Sequence, residues 1–355
     1  FEEALRRLSR TGQAYIFGAQ RLGQDLKGML DRIGVDVTGY LDNDAGKWGK
    51  EFAGRRVQSP RDVRDRDAVV VIGTTRYLDE ISRQLQSMQF SSAIPYPVLS
   101  IVRPDIFPAE IPFVNVVEDL VEHDREYFEV YIGLADQPSR DVLNGLIEYR
   151  LTLEHTAIRA IYDPAAVQYF DPGLLDLSEH ERFVDGGGYD GQTTLEFIRF
   201  VREAYDRIDY FEPDPALMQR SRDLLADRPN IAFHTSGLYS RSGHVSFQQT
   251  GNTAGAIRED GNLSIRVCSL DEQIADAVTF IKMDVEGAEY EALLGARMHI
   301  LRDRPKLAIC AYHDNHDLWR LQKLLHAWVP SYRFFLRHYS QTGLETVLFA
   351  IPGPR

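Results

Sequence analysis

The second half of the chain holds three acid-ended strand motifs that are suited to chemistry. The first is Phe183-Val184-Asp185-Gly186-Gly187-Gly188-Tyr189-Asp190-Gly191, a buried strand running into a glycine turn. Glycines let the backbone approach a ligand at the carboxyl edge of a parallel sheet, where such folds take nucleotides. Here the acid precedes the glycines, whereas a dinucleotide fingerprint carries its acid after the next strand. An acid at this turn repels pyrophosphate and can pair with a ligand ammonium. That suits a ligand with an amino-acid moiety and no phosphate, such as S-adenosylmethionine. The bland alternative is a glycine turn without a ligand.

The second motif is Tyr210-Phe211-Glu212-Pro213-Asp214, where Glu212 closes the next strand and Pro213 stops it. A carboxylate there can accept hydrogen bonds from both ribose hydroxyls, as the acid does at the corresponding place in dinucleotide folds. Alone, a Glu before Pro is often a cap. The third motif, Ile281-Lys282-Met283-Asp284-Val285-Glu286-Gly287-Ala288-Glu289, is another strand ending in acids. Asp284 and Glu286 should face the same crevice, while Glu289 and Glu291 read as partners of a helix N-terminus.

These motifs need a sheet to align them. From about Asp171 the strands Arg182–Asp185, Ile208–Glu212, Ile231–His234, Phe280–Asp284 and Leu307–Tyr312 alternate mostly with helices, which implies a parallel sheet. Tyr332–His338, a Gln341-Thr342-Gly343 turn and Thr346–Ile351 read as a terminal hairpin. Segment 244–268 holds a small extra β element around a Gly/Asn-rich loop. Residues 1–100 form a smaller α/β unit with strands at Ala14–Gly18, Val35–Leu41 and Ala68–Gly73. Prolines 104, 108 and 112 mark a loop, and helices over Val116–Leu134 and Ser139–Ile161 make 101–170 a helical connector.

Length and composition agree with this division. A chain of 355 residues exceeds what one core normally serves, so two domains are expected. A net charge of -13 repels phosphate backbones and argues against a nucleic-acid partner. No apolar run is long enough for a bilayer, so no membrane span is expected; no basic-then-apolar leader is visible, and a leader already processed stays open. The chain begins at Phe1 rather than Met, so preceding residues are expected in the natural protein. Two cysteines, Cys268 and Cys310, make no disulfide framework and point to a cytoplasmic location.

Taken in order, Gln168-Tyr169-Phe170, Val184–Thr194, Glu212-Pro213, Ile281–Ala296, Tyr312-His313 with Asp317-Leu318-Trp319, and Arg337-His338-Tyr339 before Glu345–Leu348 resemble the FkbM family of S-adenosylmethionine-dependent methyltransferases. The resemblance spans about 190 residues. It implies a seven-stranded class I (Rossmann-like) methyltransferase domain over 171–355 and methylation of a hydroxyl on a small molecule or glycan. It also implies that Asp185, Gly187 and Gly191 form the methionine-side pocket, that Glu212 holds the ribose, and that the Thr235–Leu238 turn, with Ser236, lies beside adenine. Asp284 joins the cofactor-binding set, and Tyr169 closes the methionine end. Gly188 departs from the family's usual Ala, apparently without harm.

A base must help remove the acceptor proton. His313, at a strand's carboxyl end, is the first choice because His titrates near neutrality; His338 is the second, with Asp284 beside them. The run His313-Asp314-Asn315-His316-Asp317 offers metal-ligand types, but it also suits a helix N-terminus, and the cap is the reading adopted. No metal is expected. In the first unit, Gly18-Ala19-Gln20-Arg21-Leu22-Gly23 has the outer glycines of a dinucleotide turn, yet Gln20 obstructs the close approach of a pyrophosphate. Asp42 stands where a ribose acid would lie. A structural, substrate-docking or homodimer-forming role is preferred to nucleotide binding. The rivals are therefore a nucleotide-binding oxidoreductase or nucleotide-sugar enzyme centred on the first unit, and a non-catalytic binding or assembly module.

Overall fold

Short apolar runs separated by amphipathic helices build two sheet-based units, Phe1–Asn115 and Val116–Arg355, in a computed structural model that describes residues 1–74, 77–108, 114–249, 255–257 and 263–353. The connector read at 101–170 divides between them, because the helices from Val116 onward cluster with the C-terminal unit.

The N-terminal unit has strands β1 (Gln13–Phe17), β2 (Asp36–Leu41), β3 (Glu51–Phe52), β4 (Arg55–Gln58), β5 (Val70–Ile72) and β6 (Ala93–Pro95). Their order is β3-β4-β2-β1-β5-β6, parallel except for the β3–β4 hairpin. Ile16, Val37, Val70, Val71 and Ile72 are fully buried, and helix Arg21–Arg32 seals one face with Leu26 and Leu30. The hairpin and β6 escape sequence reading because they are two to four residues long and carry no sustained alternation.

The C-terminal unit contains β7 (Arg182–Gly186), β8 (Arg207–Phe211), β9 (Ile231–His234), β10 (Gly237–Leu238), β11 (Gly243–Gln249), β12 (Gly255–Ile257), β13 (Leu263–Cys268), β14 (Phe280–Met283), β15 (Lys306–Cys310), β16 (Tyr332–His338) and β17 (Thr346–Pro352). Seven of these form one sheet in the order β16-β17-β15-β14-β7-β8-β9. β17 runs antiparallel to both neighbours, as the expected terminal hairpin, and the other pairings are parallel. The order reverses at β7, with β8 on one side and β14 on the other, which opens a crevice beyond their carboxyl ends. The small β10-β13-β11-β12 sheet lies in the 237–268 segment, part of whose loop (250–254 and 258–262) falls outside the described residues.

Aromatic packing fixes the central strand. Phe170, Phe183, Phe197 and Phe280 are all fully buried, with Phe183 stacked on Phe197 at 4.2 Å and on Phe280 at 5.1 Å. Truncating one of them to Ala should cost about 3–5 kcal/mol. The helices expected at Val116–Leu134 and Ser139–Ile161 are each broken in two, at His123 and at Leu153. Leu153 takes a left-handed φ of 59° and closes its helix through its N–H to the Tyr149 carbonyl. No glycine announces that stop. Among the described residues, no helix is long and apolar enough to cross a membrane.

Candidate active site

The glycine turn after β7 is locked from beneath. Gly187 has φ 72°, and a Cβ there would stand 1.8 Å from the Asp284 carbonyl, so only glycine fits between the ends of β7 and β14. Gly191 has φ 84° and caps helix Gln192–Phe200. At Gly188 a Cβ would meet the Tyr210 ring at 2.1 Å. The departure from Ala is thus not neutral: Tyr210 occupies the space, donating to or sharing protons with the Tyr189 carbonyl and Ser221.

Asp185 lies under this turn rather than in the crevice. Its side chain is fully buried, accepts from Thr194 Oγ1 at 2.6 Å and sits 3.1 Å from Lys282 Nζ. Lys282 also donates to the Gly186 and Gly187 carbonyls. Burial alone would lower the ammonium's pKa, but Asp185 and Asp284 outweigh it and hold Lys282 above its ordinary value. The pairing of Asp185 with a ligand ammonium, read from the sequence, is therefore corrected: a lysine of the same sheet already takes that place. Sequence reading passed over Lys282, although a lone cation in the apolar strand Phe280-Ile281-Lys282-Met283 is a signal that an acid must face it.

Glu212, just past β8, is 6% exposed and has a different environment. Its two oxygens accept backbone N–H groups, from Tyr189 at 3.0 Å and Asp214 at 2.8 Å, and no ion pair to a cation is found among the described residues. Burial pushes its pKa up to about 7, against the pull of those two donors. The carboxylate thus joins the glycine turn to the end of β8 and retains unused lone pairs. Ser236, in the turn after β9, is buried with its hydroxyl on Cys268 Sγ at 3.2 Å.

A second group of acids gathers after β14. Asp284 accepts from the Tyr169 hydroxyl at 2.9 Å, and its other oxygen is 3.4 Å from the Tyr312 hydroxyl. Tyr169, with φ 68°, is buried as a floor of this region, and Gln168 links its hydroxyl to Glu345. Burial raises the Asp284 pKa, but Lys282 and then His313 more than reverse this and leave it below the usual range. His313 reaches three carboxylates: Glu289 through Nδ1 at 2.9 Å, and Glu286 and Asp284 through Nε2 at 3.4 and 3.6 Å. Burial would lower its pKa; Glu289, Asp284 and Glu286 instead lift it to about 10.

The three carboxylates favour the protonated ring of His313, which goes against its reading as a base titrating near neutrality. Glu286, at φ 55°, has the property expected of that base, since burial raises it to about 7 despite the opposing pull of His313. His338 is not brought into this group. It is buried on β16, bonds Thr346 Oγ1 at 2.9 Å, and burial lowers it to about 4. The helix after His313 begins at Asp317, and the expected cap takes the form of Asp314 accepting from the His316 N–H; His316 itself caps nothing. A cavity of about 400 Å³ opens by Arg182, Arg207 and Asp276 at the opposite, amino edge of the strands, away from these acids.

In the N-terminal unit, Asp42 ends β2 with its carboxylate fully used. It accepts from the Ala19 N–H at 2.9 Å, the Asp44 N–H at 2.9 Å and Lys47 Nζ at 2.8 Å. Burial raises its pKa, but Lys47 and the two backbone donors bring it below its ordinary value.

Comparison with known proteins agrees with this geometry. Residues 185–337 match the methyltransferase FkbM domain, and residues 11–93 match a C2185-like N-terminal domain. The 2-O-methyltransferase NoeI of Sinorhizobium fredii is 23% identical over 159 residues, 38% of this chain and 61% of that protein, so less than two thirds of the relative's length is spanned. A crystal structure of methyltransferase FkbM from Methylobacillus flagellatus superposes with a TM-score of 0.82 at 24% identity, covering 98% of this chain and 93% of that one, which establishes a shared fold. The strands whose carboxyl ends carry Asp185, Glu212 and Asp284 thus lie in a stretch of the C-terminal unit that matches the methyltransferase FkbM domain.

Proposed function

We propose that the C-terminal unit transfers a methyl group from S-adenosylmethionine to a hydroxyl oxygen of a small molecule or glycan. The observation that carries this reading is Glu212, a buried carboxylate at the carboxyl end of β8 with no ion pair among the described residues, placed to accept two ribose hydroxyls. The surrounding acids fit the cofactor's charge, since Asp284 and Glu286 favour an ammonium and a sulfonium and repel phosphate.

When bound, the cofactor supplies an already activated methyl group. The protein's own share is to hold and orient. Asp284 would hold the amino group in place of the occupied Asp185, Gly187 and Gly191 shape the turn, and the Ser236 turn would border the adenine. Tyr169 anchors Asp284 from below. The protonated His313 keeps Glu286, Glu289 and Asp284 together, and Glu286 accepts the proton of the attacking hydroxyl. Positioning is the larger contribution, worth roughly 7–11 kcal/mol, against a factor of about 10² to 10⁴ from the base. Transfer to an oxygen draws support from the likeness to the 2-O-methyltransferase NoeI. The loops around 244–262, expected with the connector to shape the acceptor pocket, lie partly outside the described residues.

The rival centred on the first unit is disfavoured by Asp42, whose oxygens are committed to Ala19, Asp44 and Lys47. Titration calorimetry with S-adenosylhomocysteine and with NAD separates the two readings. Binding of the first alone is expected. Binding of NAD alone would transfer the active centre to the N-terminal unit, and binding of neither would favour a non-catalytic module.

A further inference from the structure

We infer that Asp119, His123 and His316 form a binding site for a divalent transition-metal ion, with zinc the best match, separate from the groups assigned to methyl transfer. Asp119 ends one turn of helix Val116–Glu122, His123 follows that helix, and His316 precedes helix Asp317–Trp328. All three belong to the C-terminal unit. One oxygen of Asp119, Oδ1, lies 3.0 Å from His123 Nδ1 and 3.3 Å from His316 Nε2, and ligand atoms of the three converge within 4.8 Å. Bonds of 2.0–2.2 Å to a common ion give ligand-to-ligand edges of roughly 3.0–3.5 Å, so the observed separations need little adjustment.

The orientation of the ring strengthens the case. His316 Nδ1 lies 2.7 Å from Asp314 Oδ1, which leaves Nε2 as the ring nitrogen facing the Asp119 carboxylate, the place of a ligand to a shared ion. A carboxylate behind a histidine that faces a metal is the common way to fix such a ligand. The rest of the neighbourhood fixes the other two. Tyr127 donates to Asp119 Oδ2 at 2.6 Å and Trp319 Nε1 to Oδ1 at 3.3 Å, while the His123 ring stacks on Trp319 at 4.5 Å.

Two imidazoles and one carboxylate suit zinc among the first-row ions, and three protein ligands leave a fourth position for water or a ligand. His316 is nearly half exposed, which gives an ion a route in.

The test is calorimetric titration of zinc chloride into chelator-treated full-length protein lacking an added histidine tag, with the bound metal counted by mass spectrometry. One ion per chain is expected. His316→Ala and His123→Ala should each weaken binding by about 100-fold, and Asp314→Asn by roughly 10–100-fold. Because His316 is part-exposed, its variant should keep the wild-type circular dichroism and S-adenosylhomocysteine affinity. Cobalt substitution provides a readout without mutation, and a visible band typical of a low-coordinate N/O site is expected. Absence of stoichiometric zinc, unchanged binding in a His123→Ala/His316→Ala double variant, or loss on His313→Ala alone would each overturn the assignment.

Discussion

Asp42 and Glu212 occupy the same topological place in the two units, and their surroundings differ in one respect. Each ends the second strand of an α/β sheet and accepts backbone N–H groups from the glycine turn next to it or the residue two further on. Asp42 has in addition the ammonium of Lys47, and its pKa falls. Glu212 has no such partner among the described residues, and its pKa rises to about 7. An acid paired with a lysine of its own chain is held as a structural element, and one buried without such a pair among the described residues is the candidate for a ligand. Fold similarity between the units therefore carries no function by itself, and the wiring of the acid decides.

The contrast can be broken most forcefully at the two lysines. Lys282→Met strands the fully buried Asp185 and should cost about 3–5 kcal/mol in urea unfolding, whereas Lys47→Met removes a part-exposed pair and should cost less than about 1 kcal/mol. Equal losses would show that the two turns are held alike. Next in size is ligand binding. Glu212→Ala should weaken S-adenosylhomocysteine by about 100-fold, equivalent to ~2.7 kcal/mol, while Asp42→Ala leaves it unchanged; calorimetry reads both.

Stability against pH should show the two acids with opposite sign. The folded pKa of Glu212, about 7, lies above its ordinary 4.5, so the folded state holds the extra proton between those values. Its contribution is present below pH 4.5 and is lost as pH rises through 7; Glu212→Gln should remove that slope from a plot of Tm against pH. The Asp42 pKa is depressed, so its contribution is present above its ordinary 3.8 and disappears as pH falls below it, and Asp42→Asn should flatten that acid limb instead. The smallest effects come from glycines. Gly188→Ala must displace the Tyr210 ring and should cost about 1–3 kcal/mol, while Gly28→Ala, facing open space in helix Arg21–Arg32, should stabilise by about 0.4–1 kcal/mol in thermal unfolding.

Much of this could be read before the structure. The strands around Asp185, Glu212, Asp284 and His313 are buried on both faces, and their acid ends and turn glycines mark where a sheet meets its crevice. What escaped reading was partnership across strands. Lys282 neutralises Asp185 through pairing of β14 with β7, 97 residues apart in sequence, and the three carboxylates around His313 come from a loop and a helix that only folding assembles. Residue type suggested a neutral histidine, but its neighbours favour the cation. The helix breaks at His123 and Leu153 depend on tertiary packing for the same reason, since no local signal announces them.

The most direct test of the account is a crystal structure of the full chain with S-adenosylhomocysteine. The account predicts ribose hydroxyls on Glu212 and the amino group on Asp284, with Asp185 still paired to Lys282. A ligand whose ribose lies on Asp42, or one bound in the C-terminal unit without touching Glu212, would contradict it.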